Sequence, residues 1–254
     1  MHFSHPYLAD TRFVCFAHRG GGDEGPENTR RAFDTAVALG YRFIETDVQA
    51  TADGKVVIYH DDRLDRLTDM KGVISELPFA ALCQARIGGS EPIMTLEEVL
   101  NTYPHIRFNI DIKTDHALQP TLDLVQRMNC LERICLASFS DKRLRHIRKA
   151  LGPAACTGAG PGDVAALKFA SWGAPRRRIS ALCAQVPLRE YGITIVTRRF
   201  VRYCNNRGIA VHVWTIDDDE EMHRLIRLGV NGIMTNRPSL LKAVAIEEGV
   251  WCGA

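Results

Sequence analysis

Two periodicities alternate along the chain. Runs with a two-residue apolar period fall at 13–18, 42–48, 107–113, 133–138, 154–157, 181–186, 210–215 and 232–235. Segments with helical apolar spacing follow at 29–39, 95–102, 116–128, 141–150, 163–171, 198–207, 219–228 and 239–247. Side chains two apart share one face of a strand, and those three or four apart share one face of a helix. In the segment 29–39, Ala32, Phe33, Ala36, Val37 and Leu39 make one apolar stripe, Asn28 or Thr29 can cap its start, and Gly40 suits a left-handed stop. Strands that alternate with helices predict a parallel α/β protein, and eight of each is the count of a TIM (β/α)8 barrel. A doubly wound open sheet is the structural alternative.

Two segments break the alternation. Residues 48–56 are too few for a helical crossover, so the run 55–60 has to return antiparallel to 42–48. Asp53-Gly54 is a preferred two-residue hairpin pair, which sets Asp47 opposite His60; a bulge would shift that register by one. The stretch 61–92 has weak periodicity and predicts a small insertion at the barrel mouth, a lid or substrate wall. Within it, Leu77, Pro78, Phe79 and Ile87 can either line an apolar groove or pack the insertion down.

Composition narrows the class. A chain of 254 residues, 46% hydrophobic and 24% charged, fits one globular domain over 1–254 and excludes disorder, collagen and coiled coil. Basic and acidic residues nearly balance at a net +2, which offers no bulk attraction for nucleic acid. The eight cysteines include no Cys-x-x-Cys pair and sit mostly in apolar runs, the pattern of buried, reduced thiols. His2-x-x-His5 and Cys130-x4-Cys135 match no zinc spacing and read as incidental. With no secretory signal, no apolar run of ~20 residues and no prenylation box, the expectation is a cytoplasmic protein without a membrane anchor.

Strand alternation gathers the polar residues at one rim. Glu45 and Asp47 share a face of the second strand, Asp111 and Lys113 share one of the third, and His18 ends the first. All lie at strand C-terminal ends, where barrel active sites are built. A single acid there is ordinarily a cap or a solvated contact; three acids from two strands, with two histidines, an arginine and a lysine, form a constellation. Clustered carboxylates repel unless a cation neutralises them, and their oxygens suit a hard divalent ion, Mg²⁺ or Ca²⁺. His18-Arg19-Gly20-Gly21-Gly22 either cradles a phosphate with backbone N–H groups or is a plain turn. His212 points into the barrel as a core histidine, Trp214 is either core or an apolar wall for a ligand, and Arg176-Arg177-Arg178 reads as a solvated loop.

The ordered motifs Ala17-His18-Arg19-Gly20, Pro26-Glu27-Asn28-Thr29, Glu45-Thr46-Asp47-Val48, Asp53-Gly54, His60-Asp61, Asp111-Ile112-Lys113, Val213-Trp214-Thr215 and 232–238 make the chain resemble the glycerophosphodiester phosphodiesterase family over nearly its whole length. The resemblance implies a TIM barrel with an insertion after the His-Asp motif. It also implies metal-dependent cleavage of a small-molecule glycerophosphodiester to sn-glycerol 3-phosphate and an alcohol. On that reading Glu45, Asp47 and Asp111 hold the ion, His18 and His60 share the acid and base roles, and Arg19 and Lys113 hold the phosphate. Glu27 orients Arg19 or the glycerol end, and Trp214 contacts substrate. The family's mechanism further implies that a substrate hydroxyl attacks first, giving a cyclic phosphate that water opens. Asp111 stands where the family commonly has Glu, a departure shared with sphingomyelinase D-type lipases. The alternatives are therefore a lysophospholipase D or sphingomyelinase D-type enzyme acting on a lipid, and a catalytically silent binding barrel.

Overall fold

A computed structural model of the chain describes Phe3, residues 5–9 and residues 12–253. Eight parallel strands form the barrel: β1 (Val14–His18), β2 (Phe43–Ala50), β3 (Arg107–Ile112), β4 (Ile134–Ala137), β5 (Cys156–Thr157), β6 (Cys183–Val186), β7 (Ala210–Val213) and β8 (Gly232–Thr235). Pairing is sequential from β1 to β5 and from β6 to β8, and β8 returns to β1 with Val14 beside Gly232. Between β5 and β6 the contact thins to one isolated bridge, Gly158 to Cys183. With β8 paired to β1 and the bridge joining β5 to β6, the strands return on themselves, which rules out an open doubly wound sheet.

The helices are α1 (Arg30–Ala38), α2 (Leu96–Thr102), α3 (Asp115–Arg127), α4 (Asp141–Leu151), α5 (Pro161–Ser171), α6 (Arg198–Asn205), α7 (Asp219–Leu228) and α8 (Pro238–Glu247). Six begin at side-chain caps, Thr29, Thr95, Thr114, Ser140, Thr197 and Asp218, each accepting a backbone N–H from the first turn. Each such cap is worth about 1 kcal/mol. Thr29, not Asn28, caps α1, and Val37 is 38% exposed, outside the buried stripe of Ala32, Phe33 and Ala36. Outward residues of the strands, such as Ile44, Val48, Phe108 and Ile110, pack under the helices, while inward Val14, Phe16, Phe43 and Cys135 fill the barrel. Among the described residues no helix is long and apolar enough to cross a membrane.

The hairpin departs from expectation by one residue. Val48 faces Ile58 and Ala50 faces Val56, and Thr51 donates its N–H to the Lys55 carbonyl at 3.0 Å. The loop is thus three residues with Gly54 at φ +77°, the left-handed position of a three-residue hairpin, rather than a two-residue turn. Tyr59, not His60, lies against Asp47, donating its N–H to the Asp47 carbonyl at 3.0 Å. His60 follows the returning strand Val56–Ile58 and reaches the rim from its end.

Residues 61–92 are not a loose lid. Leu64, Ile74, Leu82, Ala85, Ile87 and Ile93 bury themselves with Val57 and Tyr59 in a satellite core, and Leu77 and Phe79 pack against it. The apolar residues of the insertion are consumed there and do not line the mouth. Six cysteines are buried and Cys83 and Cys252 half-buried, all as free thiols. His2 lies outside the described residues.

Candidate active site

A cavity of about 240 Å³ opens at the C-terminal ends of the strands, lined by His18, Arg19, Glu45, Asp47, His60, Asp111, Lys113 and Trp214 among others. Of the expected site residues only Glu27 stands outside the lining; its Oε1 accepts from Arg19 Nη1 at 3.0 Å and from Arg66 Nη2 at 2.7 Å.

The β1–α1 turn positions the cation. Arg19 takes a left-handed φ of +53°, a conformation that costs a non-glycine residue about 1–2 kcal/mol. It is held by its backbone N–H donating to Glu45 Oε2 at 3.1 Å. The side chain folds back so that Nε lies 3.1 Å from Asp47 Oδ2, an ion pair too far off line to count as a hydrogen bond. Gly20 and Gly21 donate their N–H groups to the Ala17 and His18 carbonyls, so both are consumed by the turn rather than offered to a phosphate. A Cβ on Gly20 would sit 2.6 Å from the Phe33 ring, which is why the turn needs glycine there. Asn28, also left-handed at φ +59°, donates to Asp47 Oδ2 at 3.0 Å and accepts from the Thr46 hydroxyl at 2.7 Å.

Three buried carboxylates share two cations. Lys113 Nζ lies 3.1 Å from Asp47 Oδ1 and 2.9 Å from Asp111 Oδ2. Burial would depress this ammonium, but the two aspartates outweigh it and hold its pKa above the ordinary value. Burial works against the Asp47 carboxylate too, yet Lys113 and Arg19 keep its pKa below the usual range. For Glu45 the balance reverses: burial, then the Asp47 charge, outweigh Arg19 and Lys113 and push it well above the carboxylate range. Asp111 is also raised by burial, and its Oδ1 is buried with no hydrogen-bond partner.

The two histidines have different partners. His18 Nδ1 donates to Asn236 Oδ1 at 2.7 Å, and burial lowers its pKa, favouring the neutral ring. Asn236 is itself fixed by Asp217, which accepts from its Nδ2 at 2.9 Å and its backbone N–H at 2.7 Å. His60 Nδ1 lies 2.6 Å from Asp61 Oδ1. Arg66 from the insertion donates to Asp61 Oδ2 at 2.6 Å and, with His60, holds the Asp61 pKa down to about 2. Asn236, Asp217 and Arg66 carry no chemistry at sequence level, because their contribution is to orient other side chains, across 5 to 218 residues of chain. Replacing Asn236 by Leu is expected to lower kcat roughly 10- to 100-fold, the scale for losing a histidine's orienting partner. KM should change little and Asn236→Asp should recover part of the loss. Steady-state kinetics on folded variants checks this, and an unchanged kcat would remove the positioning role.

One wall of the cavity is apolar. Trp214 meets Phe139 edge-on at 5.6 Å between ring centroids, and Pro161, Val164, Val186 and Pro187 continue the surface. Phe139 is 62% exposed. Deeper in the barrel His212 is fully buried, 4.9 Å from the Phe16 ring centroid, as a core histidine. Arg176, Arg177 and Arg178 are exposed on a loop.

A barrel rim that sets two histidines, two cations and three buried carboxylates around a small cavity is that of a phosphoric diester hydrolase. The chain belongs to the glycerophosphoryl diester phosphodiesterase family, whose sequence model matches residues 18–240. It is 38% identical to a Mycobacterium tuberculosis protein named as glycerophosphodiester phosphodiesterase 2, over 95% of this chain and 94% of that one. A human lysophospholipase D is 27% identical, over 89% of this chain and 84% of that one. A crystal structure described as a glycerophosphoryl diester phosphodiesterase of Silicibacter pomeroyi superposes with TM-score 0.81 at 20% identity, covering 97% of this chain and 99% of that one. An Oleispira antarctica phosphodiesterase, solved with the product sn-glycerol-3-phosphate, superposes with TM-score 0.75 at 23% identity, over 92% and 96%.

Proposed function

We propose that the enzyme hydrolyses glycerophosphodiesters to sn-glycerol 3-phosphate and an alcohol, with His18 as general base and His60 as general acid. The observation that carries this reading is the contrast between the two histidines' partners. Asp217 turns the Asn236 amide so that its oxygen faces His18, which keeps the proton on Nδ1 and leaves Nε2 unprotonated, 3.7 Å from Glu45 Oε2. Asp61, an ionised carboxylate held by Arg66, instead accepts from His60 Nδ1 at 2.6 Å, a charge-assisted hydrogen bond. His18 Nε2 takes the proton of the attacking hydroxyl as its oxygen bonds to phosphorus. The bond from phosphorus to the alcohol oxygen breaks, and His60 donates a proton to that oxygen. With a substrate hydroxyl as nucleophile the first product is a cyclic phosphate, which water opens by the same transfers in reverse. Arg19 and Lys113 supply charge for the phosphoryl oxygens, Glu27 holds the Arg19 fork, and Trp214 flanks the departing alcohol.

Glu45, Asp47 and Asp111 fit a hard divalent cation in donor type and charge, since Asp111 Oδ1 is buried without a partner. As the side chains stand, Lys113 lies between Asp47 and Asp111, and the three carboxylates do not form a group whose oxygens all lie within 4.8 Å. Mg²⁺ or Ca²⁺ held by these residues would neutralise phosphoryl oxygens.

The Phe139–Trp214 wall, and the human relative named lysophospholipase D, favour a second substrate: a lysophospholipid cleaved at the same bond. The test is product analysis with glycerophosphocholine and lysophosphatidylcholine. Release of glycerol phosphate and choline from the first supports the proposal; no turnover of either substrate by folded, metal-supplied enzyme refutes it. Phe139→Ala is expected to lower kcat/KM for the lysolipid at least about tenfold, equivalent to ~1.4 kcal/mol of apolar contact, with less effect on glycerophosphocholine. Equal losses on both substrates would remove the lipid reading.

A further inference from the structure

At the end of the barrel opposite the mouth, three sulfurs converge. Cys135 on β4, Cys156 at the start of β5 and Cys183 at the start of β6 place their Sγ atoms within 4.8 Å of one another, the one group of potential metal ligands of this kind among the described residues. Their exposures are 0%, 1% and 0%. They come from neighbouring strands, with Cys135 paired to Cys156 and Cys183 bridged to Gly158. Phe3, Tyr7 and Leu8, around the short helix Pro6–Leu8, share the same apolar cluster, with Val14, Phe16 and Phe43.

Two features separate this chamber from ordinary core. Tyr7 Oη and both ring nitrogens of His212 are fully buried with no hydrogen-bond partner among the described residues. Such groups cost about 1–3 kcal/mol each, so two of them beside three thiols set this end of the barrel apart from ordinary apolar core. Tyr7 shares its apolar cluster with all three cysteines, and His212 packs on Phe16 of that cluster at 4.9 Å between ring centroids. The second feature is position. Cys156 and Cys183 flank the β5–β6 seam, where a two-residue strand meets its neighbour through a single bridge. A link between these sulfurs would close the barrel where strand pairing is weakest.

We propose that Cys135, Cys156 and Cys183 form a three-sulfur site for a thiophilic d¹⁰ metal ion, with Cu(I) in trigonal coordination as the ion that fits. Three thiolates about 2.3 Å from a common ion lie roughly 4 Å apart, so the existing cluster needs only a small contraction. Thiolates select Cu(I) and Zn²⁺ over hard ions. Closed Zn²⁺ sites take four ligands, and no fourth His, Cys, Asp or Glu joins this group among the described residues. Each thiol releases its proton to the surrounding buffer as the ion enters.

The test uses the reduced, full chain under anaerobic conditions, titrated with Cu(I) against a chromogenic Cu(I) chelator and, in a separate arm, with Zn²⁺. One equivalent of copper should survive desalting, X-ray absorption should report three sulfur neighbours, and Tm should rise by more than about 5 °C. Cys156→Ala and Cys183→Ala should lose the bound copper, while Cys204→Ala, a buried cysteine elsewhere, should keep it. The sulfur count is read on the unsubstituted protein and stands even if an alanine variant fails to fold. Copper lost on desalting, a count other than three, retention in a folded Cys156→Ala variant, or a disulfide in place of the free thiols would each overturn the assignment. Preferential retention of Zn²⁺ with a nitrogen or oxygen neighbour would overturn the choice of ion.

Discussion

Exhaustive chelation with EDTA is expected to lower glycerophosphocholine hydrolysis at least ~10²-fold, and Mg²⁺ or Ca²⁺ to restore it, because stabilisation of phosphoryl charge by a bound ion is worth several kcal/mol. The prediction rests on the charge balance of the rim. Glu45, Asp47 and Asp111 carry three formal charges in a buried place where Arg19 and Lys113 carry two. Asp47 absorbs most of that support, touching both cations, while the Glu45 carboxyl is pushed up by burial and by Asp47. A divalent ion held by Glu45, Asp47 and Asp111 would supply the missing charge, and Asp111 Oδ1 is the buried oxygen still without a partner. Glu45→Gln and Asp47→Asn should each weaken ion binding measured by calorimetry, a readout independent of turnover. Asp111→Glu should be tolerated better than Asp111→Ala, since the carboxylate is retained. Full activity after chelation, or an isotherm unchanged by both Glu45→Gln and Asp47→Asn, would exclude the ion from this site. Arg19, Lys113 and the histidines would then carry phosphoryl transfer alone.

His18→Ala and His60→Ala should each reduce kcat at least ~10²-fold, the scale for a positioned acid or base, while thermal unfolding stays cooperative. Both rings sit at the rim, with side chains 17% and 31% exposed, so their removal leaves the strand core intact. The variants differ in what surrounds the loss. Removing His18 frees Asn236 Oδ1 but leaves Asp217 satisfied by Asn236 and by the Thr235 hydroxyl at 2.8 Å. Removing His60 leaves Asp61 paired with Arg66 at 2.6 Å. Neither substitution strands a fully buried charge, which is why the loss should fall on kcat rather than on folding. A folded variant with near-normal turnover would dismiss that histidine from proton transfer.

Within the chain, local rules were enough for the architecture. Two-residue and helical periods alternate because each strand must show one face to the barrel and one to its helix, and caps such as Thr29 and Thr95 mark the helix starts in the sequence itself. The same alternation sets Glu45 with Asp47 and Asp111 with Lys113 on shared strand faces, and these residues meet at one rim. The hairpin register was not legible, because Asp53-Gly54 serves a two-residue or a three-residue loop equally well and only the Thr51–Lys55 closure decides between them. Nor was the fate of Leu77, Phe79 and Ile87: an apolar residue in an insertion buries against whatever surface is near, and here that surface is Val57 and Tyr59. Tertiary structure alone decided that Gly20 and Gly21 spend their N–H groups inside the turn, that Asn236 and Asp217 stand behind His18, and that Phe139 meets Trp214 across the mouth. It also decided that three cysteines with no motif spacing share one chamber. Barrel closure brings the ends of distant strands together, and contacts of that kind leave no periodic trace along the chain.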